Sequence, residues 1–484
     1  MSGVTRRELL RRLAYTAPAI ALGPTLLAGC GSDDEQKQGG GSKSGGSKSG
    51  SSLDVLVGFG TGNAPEQIPP QEKLAKAFAS SKDGARINFR RIPDGDEAQR
   101  QLGVLIAAGK APDIILPTGV YGISLYLDQD IWLDLGPQLK SAGVDMSLFV
   151  DSAADAAKAP NYYGPGSDSV VGIPAAVFTH TIAYNKDLFA AAGIDEPPHQ
   201  WNAEGWDYDA LLEMTKALTL DSRGRSAADT GFDPDDIVQF GLGHWDTGLM
   251  ALGYGAEKYD PESRQLLFDT PENIEGTQFG ADLTNVHRVL VNDQLAAGVA
   301  SGADDPQLAA WKSGKIAIID MCGCDLQSWG ADNPFEWDVA PWPKGPAKLV
   351  STLNLDVGAI VAASDQHDAS FEALRFLLTE PANARQLSSG YGAMSPLKSE
   401  QNAFLDQLGG SFPGVDLQLF LDAFPYSVNQ EGWFPAFTEV GDLGGQFLDP
   451  VALGKSTAAE QLPQYQQAAQ ALVDRWFEEN ELPS

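Results

Sequence analysis

From Ser52 onward the sequence alternates short apolar strands with amphipathic helices, and this alternation restricts the fold more than any other feature. Ser52-Leu53-Asp54-Val55-Leu56-Val57-Gly58 predicts a strand that runs into a glycine-rich loop, Phe59-Gly60-Thr61-Gly62-Asn63. Glu72 to Ser80 predicts a helix, with Leu74, Ala77 and Phe78 at i, i+3 and i+4. Ile87 to Ile92 alternates as a second strand, and Glu97 to Ala108 follows as a helix with Leu102, Leu105 and Ile106 on one face. Ala111 to Leu116 reads as a third strand. Strands and helices alternating at this length imply parallel βαβ units, hence an α/β sheet covered on both faces. Ligands of such sheets sit beyond the carboxyl ends of the strands, which singles out the loops at 58–63 and 117–121.

The N-terminal stretch has another character. Thr5-Arg6-Arg7-Glu8-Leu9-Leu10 opens a basic region, an uncharged run follows from Leu13, and Leu27-Ala28-Gly29-Cys30 closes it. A charged start, an apolar stretch broken by Pro18 and Pro24, and small residues before a cysteine read as a removable targeting segment over 1–29. The stretch resembles a bacterial lipoprotein signal, which implies that Cys30 is lipidated, and its paired arginines resemble the twin-arginine export signal. Residues 31 to 52 are Gly, Ser and Lys repeats with charged residues and nothing apolar to pack, so 30–52 is expected to be a lipidated cysteine and a flexible tether. Its random-coil span is on the order of 25 Å.

Charge narrows the function classes. The chain carries 33 basic and 65 acidic residues, a formal net charge of −32. Such a surface repels phosphate backbones, so nucleic acid is not expected as a partner. An export signal also places the body away from cytosolic ATP and NAD, and no cofactor or metal is expected. Three cysteines cannot build a disulfide scaffold.

A family resemblance appears in the middle of the chain. Gly172-Ile173-Pro174 precedes an apolar run that ends in Tyr184-Asn185-Lys186-Asp187-Leu188-Phe189, followed by Ala191-Ala192-Gly193-Ile194 and Pro197-Pro198. Trp206-Asp207-Tyr208 opens a helix through Leu211, Met214 and Leu218. With Ala107 to Asp113 upstream, Gly314-Lys315-Ile316-Ala317 downstream, a helix over Ala363 to Leu378, Gly392 to Pro396, and Gly454 to Ala468, this order resembles the extracellular solute-binding proteins of family 1, the sugar-binding lipoproteins of ABC importers that include maltose-binding proteins. The resemblance covers about 53 to 475.

That resemblance implies a two-lobe periplasmic-binding-protein fold, type II-like, in which each lobe is an α/β sheet with flanking helices and the ligand cleft lies at the hinge. The lobes are expected over 53–172 with about 350–390, and over 173–349 with about 391–484. The chain would cross between them near Gly172 to Phe178 and return near Asp338 to Leu355 and Ser389 to Pro396. The implied activity is capture of a carbohydrate or related polyol by hinge closure and delivery to ABC permease subunits, by a monomer held through its lipid to the outer face of the cytoplasmic membrane. An anchored glycoside hydrolase, or a sensor or scaffold on the same fold, stays open as an alternative. The body shows no G-x-S-x-G, H-E-x-x-H or G-x-x-x-x-G-K-[ST] motif, and an enzyme is not expected.

A sugar site needs aromatic platforms and planar polar groups. With 10 Trp, 12 Tyr and 21 Phe, most aromatics must be core, so position has to select among them. Phe59, Thr61 and Asn63 occupy the loop after the first strand, Thr118 and Tyr121 the loop after the third. Phe178 lies where relatives present a side chain after the hinge, and His180 shares its strand face. Trp245, in Gly243-His244-Trp245-Asp246, and Trp433, in Glu431-Gly432-Trp433-Phe434, stand where relatives contribute stacking rings. Cys324, in Met321-Cys322-Gly323-Cys324, takes the place of the family's stacking tryptophan, which points away from maltose itself. An i, i+2 cysteine pair on an extended segment is near the upper limit of Cα separation, so two free, buried side chains are expected there rather than a disulfide or a metal pair. The acidic stretch from Asp221 to Asp236 lacks EF-hand spacing and reads as a solvated loop.

Overall fold

A computed structural model describes residues 52–81, 85–92, 96–119, 131–158, 169–300, 305–429 and 434–480. Cys30, Tyr121 and Trp433 lie outside the described residues. Among those described, no helix is long and apolar enough to cross a membrane.

The first βαβ units form as the periodicity predicts. β1 (Ser52–Val57), α1 (Ile68–Ala79), β2 (Arg86–Arg91), α2 (Asp96–Ala107) and β3 (Ile114–Gly119) follow in order. β1 pairs in parallel with β2 on one side and β3 on the other, so Val55 stands opposite both Phe89 and Ile114. A strand flanked on both sides and covered on both faces is apolar nearly throughout, and Leu53 and Val55 to Val57 are fully buried. The larger differences from expectation lie in α1 and β3. α1 starts at Ile68, because Pro69 and Pro70 suit a first helical turn, whose amides have no intrahelical partner. Its buried stripe is Gln71, Leu74, Ala75 and Phe78, leaving the expected Ala77 exposed. β3 begins at Ile114 and runs to Gly119, which places Thr118 in the strand rather than in the loop after it.

Two long strands then carry the chain between lobes. β4 (Ile173–Asn185) is buried along its whole length. β5 (Leu220–Asp221), β6 (Ile237–Gly243), the hairpin β7 (Tyr259–Asp260) and β8 (Gln265–Leu266), β9 (Ile316–Cys322) and β10 (Trp337–Ala340) lead to β11 (Ser351–Ile360) and β12 (Ser427–Val428). The main sheet has the order β2-β1-β3-β11-β4-β9-β6-β5, with β10 on β4 and β12 on β11. β4 changes partner partway. Its first half pairs antiparallel with β11, ending at Thr179 opposite Leu353; its second half pairs with β9, starting at His180 opposite Cys322. The handover therefore falls between Thr179 and His180, just beyond the expected 172–178, so Ile173 to Thr179 stay with β11 and the first-lobe strands. β11 runs back along β3 and β4, and Met394 bridges to Val177 beside them.

Both lobes bury apolar side chains, and one cluster runs through both, joining Leu56, Leu102 and Trp132 of the first to Ile318 and Trp342 of the second. In the first, α3 (His367–Leu378) and α4 (Pro381–Gly390) join Leu53, Leu74, Phe78 and Ile114. In the second, Tyr184, Phe240, Trp311, Ile318 and Trp342 are buried together. The C-terminal helices α5 (Phe437–Ala452) and α6 (Ala458–Asn480) close a separate cluster around Phe268, Phe434 and Tyr465. The stretch from Asp221 to Asp236 is mostly exposed turns, as expected, but its first residue is not solvated. Asp221 is buried and accepts from Arg225 Nε at 2.7 Å and from the amides of Arg223, Arg225 and Asp233.

Candidate functional site

The first lobe contributes the loop after β1. Gly60 and Gly62 have φ of 140° and 110°, and both are crowded. A Cβ on Gly60 would lie 2.9 Å from Asp356 Oδ1, and one on Gly62 would lie 2.8 Å from Gln71 Nε2. Only glycine fits a chain turned this way against those side chains. The loop is tied down by polar bonds: Thr61 Oγ1 donates to Asp356 Oδ2 at 2.6 Å, Asn63 Nδ2 to the Ile92 carbonyl at 2.7 Å, and Gln71 Nε2 to the Gly62 carbonyl at 2.9 Å. Phe59 and Thr118 are buried and bridge one another at the strand ends. Thr61 and Asn63 remain half-buried.

The crossing strands supply the next groups. Phe178 is buried in the first-lobe core, opposite Asn354. His180 is buried too, but among polar partners. Its Nδ1 lies 3.0 and 3.1 Å from the two Asp320 oxygens, and Nε2 lies 3.2 Å from Asn354 Nδ2. An amide NH2 only donates, so while the ring is neutral Nε2 accepts and Nδ1–H donates to Asp320. Asn354 and Asp356 are two residues apart on β11 and so share a face. One reaches His180, the other the Thr61 loop. This face of β11 joins the two lobes' strand ends.

The second lobe adds the loops after β6 and β9. His244 follows β6 with φ 43°, stacks on Trp329 with ring centroids 4.0 Å apart, and places Nε2 3.6 Å from Asp325 Oδ2. Trp245 is half-buried, with its ring 4.4 Å from that of the buried Trp342. Cys324 is exposed, and it forms a disulfide with Cys322. That corrects the expectation of two free, buried side chains. The chain does not stay extended after β9 but turns into a 3-10 segment over Gly323–Asp325, which brings the Cα atoms to 5.1 Å, within ordinary disulfide reach.

Charge is concentrated on the second-lobe side. Burial works against a proton on His180, but the charge and hydrogen bond of Asp320, with Asp325 and Asp246 behind, outweigh it and raise its pKa. His244 is raised in the same way, its burial outweighed by Asp325, Asp320 and Asp305. Asp246 is raised by desolvation and by Asp320, against the Gly248 amide that it accepts. A separate cavity of about 410 Å³, lined by Lys186, Phe335, Trp337 and Phe412, shares none of these residues.

Of these groups the sequence singled out Thr61, His180 and Trp245 as candidates, and it did not single out Asn354, Asp356, Asp320 and Trp342. A signal for the first three existed. Asn354 and Asp356 alternate with apolar residues in a buried strand, and Asp320 interrupts the apolar β9.

The model of the bacterial extracellular solute-binding protein family matches residues 64–384. A protein of Brucella abortus (strain 2308), described as a binding protein, is 21% identical over 80% of this chain and 85% of its own. The maltotriose-binding protein of Pyrococcus abyssi is 22% identical over 69% of this chain and 65% of its own. In structure the chain is similar to an ABC substrate-binding protein from Listeria monocytogenes in complex with cycloalternan, with a TM-score of 0.66 at 18% identity over 87% of this chain and 98% of that one. It is also similar to the cyclic alpha-maltosyl-1,6-maltose binding protein from Arthrobacter globiformis, with a TM-score of 0.66 at 17% identity over 88% and 99%. The chain belongs to the bacterial extracellular solute-binding protein family, a family of binding proteins rather than enzymes.

Proposed function

We propose that the cleft beside the crossing strands binds an oligosaccharide or related polyol, and that the protein is an exported lipoprotein, anchored at Cys30, which hands this ligand to an ABC permease. The observation that carries the reading is the polar face of β11. Asn354 and Asp356 bring the Thr61 loop of one lobe and His180 of the other to a single line at the point where β4 changes sheets. A ligand held there touches both lobes and favours the closed form by its differential affinity for it. Trp245 supplies a half-exposed ring for a sugar's C–H face. The named ligands of the relatives, maltotriose, cycloalternan and cyclic alpha-maltosyl-1,6-maltose, support this ligand class. Phe59, Thr118 and Phe178 are better assigned to packing beneath the site. The tether over 30–52 lets the two-lobed body, acting as a monomer, reach its permease.

The reading is tested by mass spectrometry of small molecules released when the purified protein is denatured, followed by a thermal-shift screen. A ligand at 100 times its dissociation constant adds about 2.7 kcal/mol. A saccharide released and re-bound supports the proposal; release of a peptide or a metal chelate alone contradicts it.

A further inference from the structure

The two sulfurs of the Cys322–Cys324 disulfide differ in the properties that govern thiol–disulfide exchange. Cys322 is 2% exposed and ends β9, while Cys324 stands exposed on the turn that follows. Cys322 Sγ accepts from the Cys324 amide at 3.2 Å and has Asn354 Nδ2 at 3.8 Å. N–H groups aimed at a sulfur favour its thiolate, and exchange runs fastest when the better thiolate is the leaving group. A bridge across one residue also removes less entropy from the unfolded chain than one closing a long loop, so cross-linking is a poor reason for this bond.

We infer that the Cys322–Cys324 disulfide is a thiol-exchange site at the edge of the cleft, opened by a dithiol reductant that attacks Cys324 and expels Cys322. One thiolate of the reductant attacks Cys324 Sγ. The S–S bond breaks, and its electron pair leaves on Cys322 Sγ, which the two N–H groups hold until it takes up a proton. The reductant's second thiolate then attacks its own sulfur in the mixed disulfide. This releases Cys324 as a thiolate that is protonated, and the reductant departs as its cyclic disulfide. Two electrons and two protons pass to the protein.

The opened ring bears on the cleft through two contacts. Asn354 is shared between Cys322 and His180, and Asp325, next to Cys324, faces His244. This consequence rests on the proposed ligand site; the exchange itself does not.

The test uses the folded, oxidised protein treated with dithiothreitol without denaturant, alkylated and mapped by peptide mass spectrometry, with a parallel sample treated with glutathione. Cys322 and Cys324 both become alkylated, glutathione is trapped on Cys324, and hydrogen exchange over 322–330 rises on reduction. Asn354→Leu slows reduction roughly tenfold while the circular-dichroism spectrum stays that of the unaltered protein. A pair that opens only in guanidinium, glutathione carried on Cys322, an unchanged rate in Asn354→Leu, or unaltered exchange over 322–330 would each overturn the inference. Failure of the oxidised protein to bind any saccharide would instead count against the ligand reading and leave the exchange standing.

Discussion

Asn354 Nδ2 lies 3.2 Å from His180 Nε2, a bond between the two strands that cross from lobe to lobe, made at the register where β4 exchanges β11 for β9. Around it Ser351 Oγ donates to the His180 carbonyl at 2.8 Å, so the crossing is held by side chains as well as by the ladder. Replacing Asn354 with Ala is expected to lower the stability of the ligand-free protein by about 1 kcal/mol, the net value of one such bond. Urea unfolding of the two proteins side by side measures it, and a loss above about 3 kcal/mol would mean that Asn354 supports the fold more broadly.

The histidines give a pH dependence with a definite sign. His180 and His244 have folded pKa values above the unfolded value of about 6.5. Their carboxylate pairs stabilise fully below about pH 6.5, and that contribution is lost as the pH rises through the folded values. His287, lowered by burial and Lys216, works in the opposite sense and loses its contribution as the pH falls. Urea midpoints measured from about pH 6 to about pH 9 are expected to fall in the unaltered protein and to fall less when His180→Gln is combined with Asp320→Asn. Equal slopes would remove the His180 pair from the account.

Asp221 makes the acid-side counterpart. Burial alone would raise its pKa, but Arg225 and the three backbone amides outweigh it and hold it at about 2. With the folded value below the unfolded one of about 3.9, this stabilisation is present above about pH 4 and is lost as the pH falls through about 2. Asp221→Asn is expected to flatten the acid-unfolding curve in that range, followed by circular dichroism.

The Trp245–Trp342 pair separates packing from binding. Trp342 is 1% exposed, so Trp342→Ala should cost the ligand-free protein about 3 to 5 kcal/mol. Trp245 is half-buried against it, and Trp245→Ala should cost about 0.5 to 1.5 kcal/mol of stability from the lost ring pair. Comparable losses at both positions, seen in thermal melts, would make Trp245 a core residue.

How much of this was legible depends on how local the determining contacts are. The βαβ units could be read because each strand and helix announces itself by its own period, and the loop at 58–63 followed from the strand before it. The partner of Thr61 could not be read, since Asp356 is 295 residues away and reaches the loop only through the pairing of β11 with β3. Phe178 and His180 share a face of β4, yet one meets apolar side chains and the other a carboxylate, because the sheet changes partner between them. The Cys322–Cys324 bridge was misjudged because a strand was extrapolated past Gly323, where the chain turns.

In the proposed site a saccharide sits against Trp245 in the cleft between the lobes. Isothermal titration of the oxidised protein with maltotriose, cycloalternan and a panel of other neutral oligosaccharides tests it most directly, run in parallel on Trp245→Ala. Saturable one-to-one binding of at least one saccharide is expected, weakened in Trp245→Ala by about 1 to 3 kcal/mol, the value of a buried stacking face. Binding of no saccharide, or binding that Trp245→Ala leaves unchanged, would contradict it.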